Sequence, residues 1–267
     1  PIRKASELFG LIHFVFFSPE DLSIIKNGPA ERRHFLDSEL CQLDKVYLYQ
    51  LSNYNKVVLQ RNKLLKELYL HPDYREVLDV LDMQLVQYGS ALIQRRQTFA
   101  EELGEIVHRI HSQLSGGQEE MELKYEPNVT VDAFAQMLFA NRERDMRLKT
   151  TATGPHRDDI SFVVNGVDIR KFGSQGQQRT AALSLKLSEI ELVKRLIGDT
   201  PVLLLDDVLS ELDSGRQNYL LNSIENIQTL ITCTGLDEFV NHRFSINRIY
   251  KVTDGSVTVE NKQEADR

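Results

Sequence analysis

The sequence of 267 residues has no tryptophan, only two cysteines and no long apolar run. Its longest apolar runs, residues 11–17 and 201–205, are far shorter than the roughly 20 residues that a membrane-spanning helix takes. Cys41 and Cys233 lie far apart and share no metal-ligand spacing, which argues against a disulfide framework or a zinc site. We therefore expect a cytoplasmic protein that makes no contact with a membrane.

Positive charge is also scarce. The 39 acidic residues outnumber the 32 lysines and arginines, and the formal net charge is −7. Because lysine and arginine dominate binding to phosphate backbones, this total argues weakly against a nucleic-acid partner, although local clusters can outweigh it. The apolar content of 41% is enough for one large core or two smaller ones, so we expect a two-lobed globular protein.

The apolar residues that are present form an α/β pattern interrupted by long helices. Residues 11–17 and 202–205 are continuous apolar runs typical of buried strands. Between residues 29 and 110 the apolar side chains recur three or four apart, which predicts two long helices separated near Pro72. These helices are expected to pair as an antiparallel arm.

Two turn signals follow the arm: Asn165-Gly166 and Asp254-Gly255 each predict a tight hairpin. The chain thus reads as α/β, then helical, then α/β again. A helical lobe inserted into a nucleotide-binding sheet explains that order with one continuous core. We predict a head formed by residues 1–20 and 146–267, with residues 21–145 as the inserted lobe.

Paired acids at the end of the second apolar run point to nucleotide chemistry. Asp206 and Asp207 would stand at the carboxyl edge of a parallel strand, where open α/β sheets bind ligands. There Asp206 can hold Mg²⁺, and Asp207 can act as general base or orient the attacking water. Two solvated acids after a buried strand are the plain alternative. However, Ser210-Glu211-Leu212-Asp213 follows, and the whole stretch resembles the Walker B segment and D-loop of ATP-binding-cassette ATPases.

Such ATPases complete their site between two molecules, through a Ser-Gly loop that opens a helix and meets the γ-phosphate of the partner's ATP. Leu114-Ser115-Gly116-Gly117-Gln118 matches this signature letter for letter, but it ends a predicted helix, so we expect a C-cap and turn there. The looser match, residues 174–178, begins a predicted helix that ends near residue 197. We therefore predict nucleotide contacts for Ser174, Gly176, Gln177 and Asp213, and for Thr234, for which an ordinary strand-end threonine is the alternative.

Several blocks together resemble the RecF family of bacterial recombination mediators, over almost the whole chain. They are Phe17-Ser18-Pro19-Glu20-Asp21-Leu22, Gly28-Pro29 with Arg32-Arg33, Gly154-Pro155-His156-Arg157-Asp158-Asp159, residues 174–180 and residues 205–213. Two of these blocks are also similar to RecN, a sister in the structural-maintenance-of-chromosomes class. The resemblance implies an α/β fold, an ABC/SMC-type ATPase head of the P-loop NTPase kind with an inserted helical lobe. It also implies slow hydrolysis of ATP with Mg²⁺ and an ATP-dependent homodimer.

The resemblance further implies binding to single-stranded and gapped duplex DNA, and cooperation with RecO and RecR to load RecA. Candidate phosphate contacts lie on or beside the helical lobe: Arg32, Arg33, Arg61, Lys63, Arg95, Arg96, Arg142 and Arg144. Each pair taken singly is more often a solvated helix face. Arg157, in a Gly-Pro turn, either pairs with an acid or reaches a nucleotide.

One part of an ATPase is missing from the sequence: it contains no Gly-x-x-x-x-Gly-Lys-Ser/Thr phosphate loop. In the RecF family that loop lies on the first strands, which would precede Pro1. We therefore expect a chain truncated at its N-terminal side and inactive alone. Two alternatives stay open, a transporter-type ABC motor, favoured by residues 114–118, and a catalytically silent scaffold that binds DNA or RecR.

Overall fold

The structure is a computed structural model that describes residues 10–67, 75–233 and 247–260. The chain divides into two compact units, Pro1–Ile231 and Thr232–Arg267. The helices are α1 (Leu22–Lys26), α2 (Pro29–Leu43), α3 (Lys45–Glu67), α4 (Arg75–Leu114), α5 (Phe134–Ala140), α6 (Arg142–Leu148), α7 (Ile169–Phe172), α8 (Gln175–Ile197) and α9 (Ser214–Ser223). The strands are β1 (Phe14–Phe17), β2 (Met121–Glu126), β3 (Asp159–Val164), β4 (Val167–Asp168), β5 (Val202–Asp206), β6 (Thr229–Thr232), β7 (Ile249–Thr253) and β8 (Ser256–Glu260).

The predicted core sheet is present, with β5 as its middle strand in the order β1-β5-β6. β1 and β5 run parallel, and Phe17 lies opposite Leu205 in their register. Alternate side chains of a strand share a face, and one face of this pair is buried. Its members are Val15, Phe17, Leu203 and Leu205. The parallel register brings the carboxyl ends of both strands to one edge of the sheet, where Asp206 ends β5.

The predicted first long helix is two helices, because α2 ends at Leu43 and α3 begins at Lys45. Asp44 causes the break: its Oδ1 accepts hydrogen bonds from the backbone N–H groups of Val46 at 2.8 Å and Tyr47 at 3.1 Å, which caps the start of α3. The helical spacing of apolar residues continues across the break and so hides it. α3 then packs along α4, while the predicted interruption at Pro72 lies outside the described residues. No described helix is both long enough and apolar enough to cross a membrane.

A second sheet, ordered β2-β3-β4, contains the first predicted hairpin. Asn165 and Gly166 have φ values of 48° and 80°, and a type I′ turn needs positive φ at both central residues, so the hairpin is confirmed. The second unit contains the other predicted hairpin, β7 with β8, which turns at Asp254 and Gly255. β2 pairs with β3 across the predicted boundary at residue 145, and the proposed division into head and lobe stays a prediction.

The letter-perfect signature match at the end of α4 is a helix C-cap. Gly117 N–H donates to the carbonyl of Ser112 at 2.7 Å, and Gly116 N–H donates to the carbonyl of Gln113 at 3.3 Å. With Gly116 at a φ of 64°, this is the Schellman arrangement that closes a helix. As expected, this segment ends a helix and therefore lacks the free helix N-terminus that a phosphate-binding loop needs.

Two glycines in α4 provide a matched test of the packing. A Cβ added at Gly89 would lie 2.5 Å from Cε1 of Phe134 and 2.9 Å from Cε2 of Tyr54, two buried rings. At Gly104 the nearest atom would be the carbonyl oxygen of Leu123 at 3.5 Å, an ordinary contact. We expect Gly89→Ala to lower the free energy of unfolding by about 1–3 kcal/mol through overpacking. Gly104→Ala should raise it by up to about 1 kcal/mol, because alanine favours a helix over glycine.

Urea denaturation of both variants beside the unchanged chain measures the two effects. Opposite signs are expected from the same substitution in the same helix. A change of the same sign and size at both positions would contradict the close approach of α3 and α5 to Gly89.

Candidate nucleotide-binding site

The end of β5 presents the two predicted acids differently. Asp206 is exposed at the last position of the strand, whereas Asp207 is half-buried and has a left-handed backbone with φ of 50°. The hydroxyl of Ser210 donates to the carbonyl of Asp207 at 2.8 Å and lies 3.2 Å from its Oδ1. The turn after β5 therefore fixes the Asp207 carboxylate beside Asp206 at the carboxyl edge of the sheet.

Asp213, a predicted nucleotide contact, caps α9. Its Oδ1 accepts from the backbone N–H groups of Gly215 and Arg216, both at 3.0 Å, and its Oδ2 pairs with the Arg216 guanidinium at 2.6 Å. The backbone hydrogen bond from Arg216, helped by its charge, lowers the pKa of Asp213, so the carboxylate is ionised at neutral pH. A nucleotide contact for Asp213 stays a prediction, and Thr234 lies outside the described residues.

The looser signature match opens α8, as expected. Ser174 is the N-cap: its hydroxyl accepts from Gln177 N–H at 3.1 Å, and its own N–H donates to Oε1 of Gln177 at 3.0 Å. Ser174 and Gly176 are exposed, so the start of this long helix is open to solvent. Free N–H groups and the helix dipole at such a position attract anions, which suits the predicted contact with a phosphate.

Gln177 also joins the start of α8 to the end of α4. Its Nε2 donates to Oε1 of Glu119 at 2.9 Å, and Oε2 of Glu119 lies 3.1 Å from Nε2 of His111. The other ring nitrogen of the buried His111 is 3.0 Å from the hydroxyl of Ser184 on α8. The sequence did not predict this chain of contacts, because Glu119 lies in the segment between α4 and β2, where no helical or strand periodicity indicates which way a side chain faces.

A cleft lies between the segment after β1, helix α8 and the turn after β5. Its lining includes Phe17, Asp21, Arg179, Lys186, Val208 and Leu212. At its base the buried Lys186 binds Oε2 of Glu189 at 2.5 Å. Burial raises the pKa of Glu189 against the attraction of Lys186. Asp21 accepts a hydrogen bond from Ser18 N–H at 2.9 Å, which matches a capping role for Asp21.

Comparison with known proteins identifies the family. No family model matches the chain. The DNA replication and repair protein RecF of Agathobacter rectalis is 62% identical over 259 residues, which cover 97% of this chain and 72% of the relative. RecF of Clostridium perfringens is 42% identical over 261 residues, covering 96% and 72%. A solved structure of the recombination mediator RecF with ATP, from the RecFOR pathway, is 35% identical and covers 97% of this chain and 70% of that chain, with a TM-score of 0.88. The chain belongs to the RecF family.

Membership of the RecF family confirms the resemblance drawn from the sequence blocks. The match to the solved RecF structure also confirms the predicted fold, an α/β ATPase head of the ABC/SMC type with added helices. The curated RecF relatives are DNA replication and repair proteins. The transporter alternative loses its support, because residues 114–118 form a helix C-cap.

Three of the arginines predicted to contact DNA are buried. Arg32, 4% exposed, pairs with Asp159, and Arg61, which has no exposed surface, binds Asp145 at 2.7 Å. Arg96 is 2% exposed and is also held by carboxylates. The DNA contact predicted for Arg32, Arg61 and Arg96 is therefore wrong, since a phosphate could reach these buried side chains only if the ion pairs broke and the surrounding structure opened.

The other predicted DNA contacts reach the surface. Lys63 and Arg144 are exposed, while Arg95 and Arg142 are half-buried and bound to neighbouring carboxylates. Arg33 is half-buried, and no ion pair joins it to any residue that the structure describes. A DNA contact through these five side chains stays a prediction.

Arg96 joins three parts of the protein. Its Nη2 binds Oδ1 of Asp37 on α2 at 2.7 Å, and its Nε donates to the hydroxyl of Tyr47 on α3 at 2.9 Å. Its Nη1 donates to the carbonyl of Pro155 at 2.7 Å and binds Oδ2 of Asp158 at 2.9 Å. Each of the three nitrogens of this side chain thus donates to an oxygen of another segment, and its charge is balanced inside the fold.

A sequence signal for these buried arginines exists. Arg96 lies four residues after Leu92 and three before Phe99, both fully buried, so it falls on the apolar face of α4. Arg61 likewise lies four residues after the buried Val57. A charged residue on the apolar row of a helix indicates an internal ion pair more often than a DNA contact, because burial of a lone charge is unfavourable.

Neighbouring arginines of α4 allow a matched test of this assignment. We expect Arg96→Met to lower the free energy of unfolding by about 3–5 kcal/mol, because it leaves the buried Asp158 and the partly exposed Asp37 without their cation. Arg95→Met, which removes a partly exposed pair with Asp44, should change it by less than about 1 kcal/mol. Urea denaturation measures both variants. Equal, small changes in the free energy of unfolding would show that the ion pairs of Arg96 do not stabilise the fold.

Proposed function

We propose that this chain supplies the magnesium and water side of an ATPase site in a recombinational repair protein that binds DNA. The observation that carries the proposal is the end of β5, where the exposed Asp206 stands beside an Asp207 carboxylate fixed by Ser210, in a chain of the RecF family. The solved RecF relative is described with ATP, which supports ATP as the ligand of the proposed site.

Asp206 suits a magnesium ion that is shared with a nucleotide. Mg²⁺ retains several waters and usually takes one or two carboxylates together with substrate phosphates. Within the described ranges, no group of three or more His, Cys, Asp or Glu side chains is placed to hold a metal ion by itself. A single exposed carboxylate therefore fits an ion that arrives with ATP, and Asp207 would orient the attacking water or take its proton.

The start of α8 supplies the other half of the proposed site. An exposed Ser174 and Gly176 at a helix N-terminus suit the γ-phosphate of an ATP bound to a second molecule, and Gln177 lies in the same turn. This arrangement yields an ATP-dependent homodimer with two shared sites. We propose that Asp213 contacts the same nucleotide; the contact predicted for Thr234 concerns a residue outside the described ranges.

The proposed partners follow from the family. The RecF relatives are DNA replication and repair proteins, and the solved relative is described in the RecFOR pathway. We infer that the protein to which this chain belongs works in the cytoplasm, binds single-stranded and gapped duplex DNA, and cooperates with RecO and RecR to load RecA. ATP hydrolysis would then reset the dimer.

A catalytically silent scaffold is the second candidate. The observation that favours it is the lack of a phosphate loop in the sequence, since that loop and its lysine normally cradle the β- and γ-phosphates. A functional test therefore needs a polypeptide that joins these 267 residues to a phosphate-loop segment from a RecF relative.

In that polypeptide we expect Asp207→Asn to lower ATP turnover about 10²–10⁴-fold, the usual contribution of a general base. Asparagine tolerates the left-handed backbone of this position, so the change removes charge without straining the turn. Dimers induced by ATP should persist or last longer. Steady-state hydrolysis and light scattering measure the two quantities.

Asp199→Asn is the matched control, because Asp199 is an exposed acid that precedes β5 at its other end. Its turnover should equal that of the unchanged polypeptide. Normal turnover in Asp207→Asn would remove Asp207 as the base. If the unchanged polypeptide does not hydrolyse ATP, and ATP does not affect its binding to DNA, the protein is a catalytically silent scaffold.

A further inference from the structure

A polar cleft opens beside the helical arm. Residues of α2, α3 and α4 and of the turn Pro155–Arg157 line it, among them Arg33, Asn55, Arg96 and His156. None of its lining residues belongs to β5 or α9. The cleft is therefore made by different elements from those that hold the paired acids.

The floor of the cleft carries a balanced charge. Arg96 lies there between two carboxylates, Asp37 at 2.7 Å and Asp158 at 2.9 Å. Asp37 also accepts a hydrogen bond from the hydroxyl of Tyr47 at 2.5 Å. The one acid that lines the cleft, Asp37, is thus already bound by a cation and by a neutral donor.

Two arginines lie at or next to the cleft: Arg33 lines it, and Arg157 follows the lining residue His156 in the chain. Arg33 donates Nη1 to the carbonyl oxygen of Asp158 at 2.8 Å, and Arg157 is exposed with one long hydrogen bond of 3.4 Å to the carbonyl of Thr151. Neither arginine has a carboxylate partner in the part of the chain that the structure describes. Arg32, next to Arg33, differs because two of its nitrogens bind Asp159.

His156 adds shape to the cleft and no charge. Its Nδ1 lies 2.7 Å from the hydroxyl of Tyr54, and its Nε2 lies 2.9 Å from the carbonyl of Thr151. Burial lowers the pKa of His156 to about 4, so the ring is neutral at neutral pH. Gly154, with φ of 133°, brings the turn against Tyr54, where any Cβ would collide with the hydroxyl. The turn that presents Arg157 is thereby held in place.

Electrostatics agree with this geometry. Burial lowers the pKa of Arg33, and repulsion from Arg96 and Arg157 lowers it further, against the attraction of Asp159 and Asp158. Arg170 shows the contrast, since its hydrogen bond to Asp168 raises its pKa. A partly buried guanidinium that is repelled by neighbouring cations is stabilised when an anion binds next to it.

We propose that this cleft is an anion site in which Arg33 and Arg157 together bind one phosphate group. Guanidinium groups match the oxygens of phosphate in shape and charge, and Asn55 at the rim can donate a further hydrogen bond. A DNA backbone, a free phosphate and a nucleotide all present this group. DNA as the source rests on the proposed function, whereas the site itself does not.

The first test uses the 267-residue chain with ¹⁵N-labelled arginine and inorganic phosphate at constant ionic strength. The Nε–H signals of Arg33 and Arg157 should move on titration, while that of Arg195, an exposed arginine on α8, stays fixed. Signals are assigned through Arg33→Gln, Arg157→Gln and Arg195→Gln. Fixed signals for Arg33 and Arg157 would overturn the proposal, whatever the chain does with DNA.

The second test measures binding of a fluorescent single-stranded oligonucleotide by anisotropy as salt rises. If DNA supplies the phosphate, Arg157→Gln should weaken binding and make the slope of log K against log salt shallower by about 0.7, the value for one lost contact on a single strand. Arg195→Gln should leave the slope unchanged, and thermal unfolding should show that each variant keeps its fold.

The outcomes of the two tests separate the site from the proposed function. Moving arginine signals with no oligonucleotide binding would support the site and count against DNA binding by this chain. Moving signals with binding that ignores Arg157 would support the site with free phosphate or a nucleotide as its ligand. Oligonucleotide binding with fixed arginine signals would be consistent with the proposed function and would contradict the anion site.

Discussion

The buried guanidinium of Arg96 is the interaction on which the arrangement of the helices depends. It binds Asp37 and Tyr47 on one side and Pro155 and Asp158 on the other, so that α2, α3 and the turn before β3 all face one side chain of α4. A desolvated cation is tolerated only where oxygens satisfy it, and each of these segments must keep its position to do so. The hydroxyl of Tyr125 also donates to Asp158, which brings β2 into the same network. The first helices and the second sheet are thus fixed by charge as well as by apolar packing.

α4 carries that constraint to the proposed nucleotide site. Its C-terminal end contacts α8 through His111 and Ser184, and Glu119 in the turn that follows binds Gln177 in the first turn of α8. The same helix therefore lines the proposed anion cleft through Arg96 and contacts the helix start that would meet a phosphate. If nucleotide binding moved the first turn of α8, the segment after α4 would have to move with it, or the hydrogen bond between Gln177 and Glu119 would break. This continuity connects the proposed nucleotide site to α4.

The sequence predicted the strand before Asp206, the helix start at Ser174 and the turn at Asn165-Gly166, because each is determined by local chemistry: an apolar run, an N-cap and a pair of residues that accept positive φ. The two signature matches could also be distinguished, because only residues 174–178 were predicted to begin a helix, whereas residues 114–118 were predicted to end one. The sequence-based prediction failed for Arg32, Arg61 and Arg96, since charge was read without the helix face on which it lies. The partners of these arginines, such as Asp145 and Asp158, are distant in the chain, and no local period reveals them. The break at Asp44 was missed because apolar spacing continued through it.

Mixing two inactive variants tests most directly whether the ATP site is shared between two molecules. One variant is Asp207→Asn, and the other is Gly176→Glu, which places a carboxylate where the partner's γ-phosphate would approach. A Cβ at Gly176 would meet only the hydroxyl of Ser174, at 3.9 Å, and Gly176 is exposed, so we expect the variant to keep its fold. In polypeptides that also carry a phosphate-loop segment, neither variant alone should hydrolyse ATP. Their mixture should regain turnover, because one of the two sites in a mixed dimer then has both an unchanged Asp207 and an unchanged Gly176. A mixture that stays as inactive as its components would contradict a shared site.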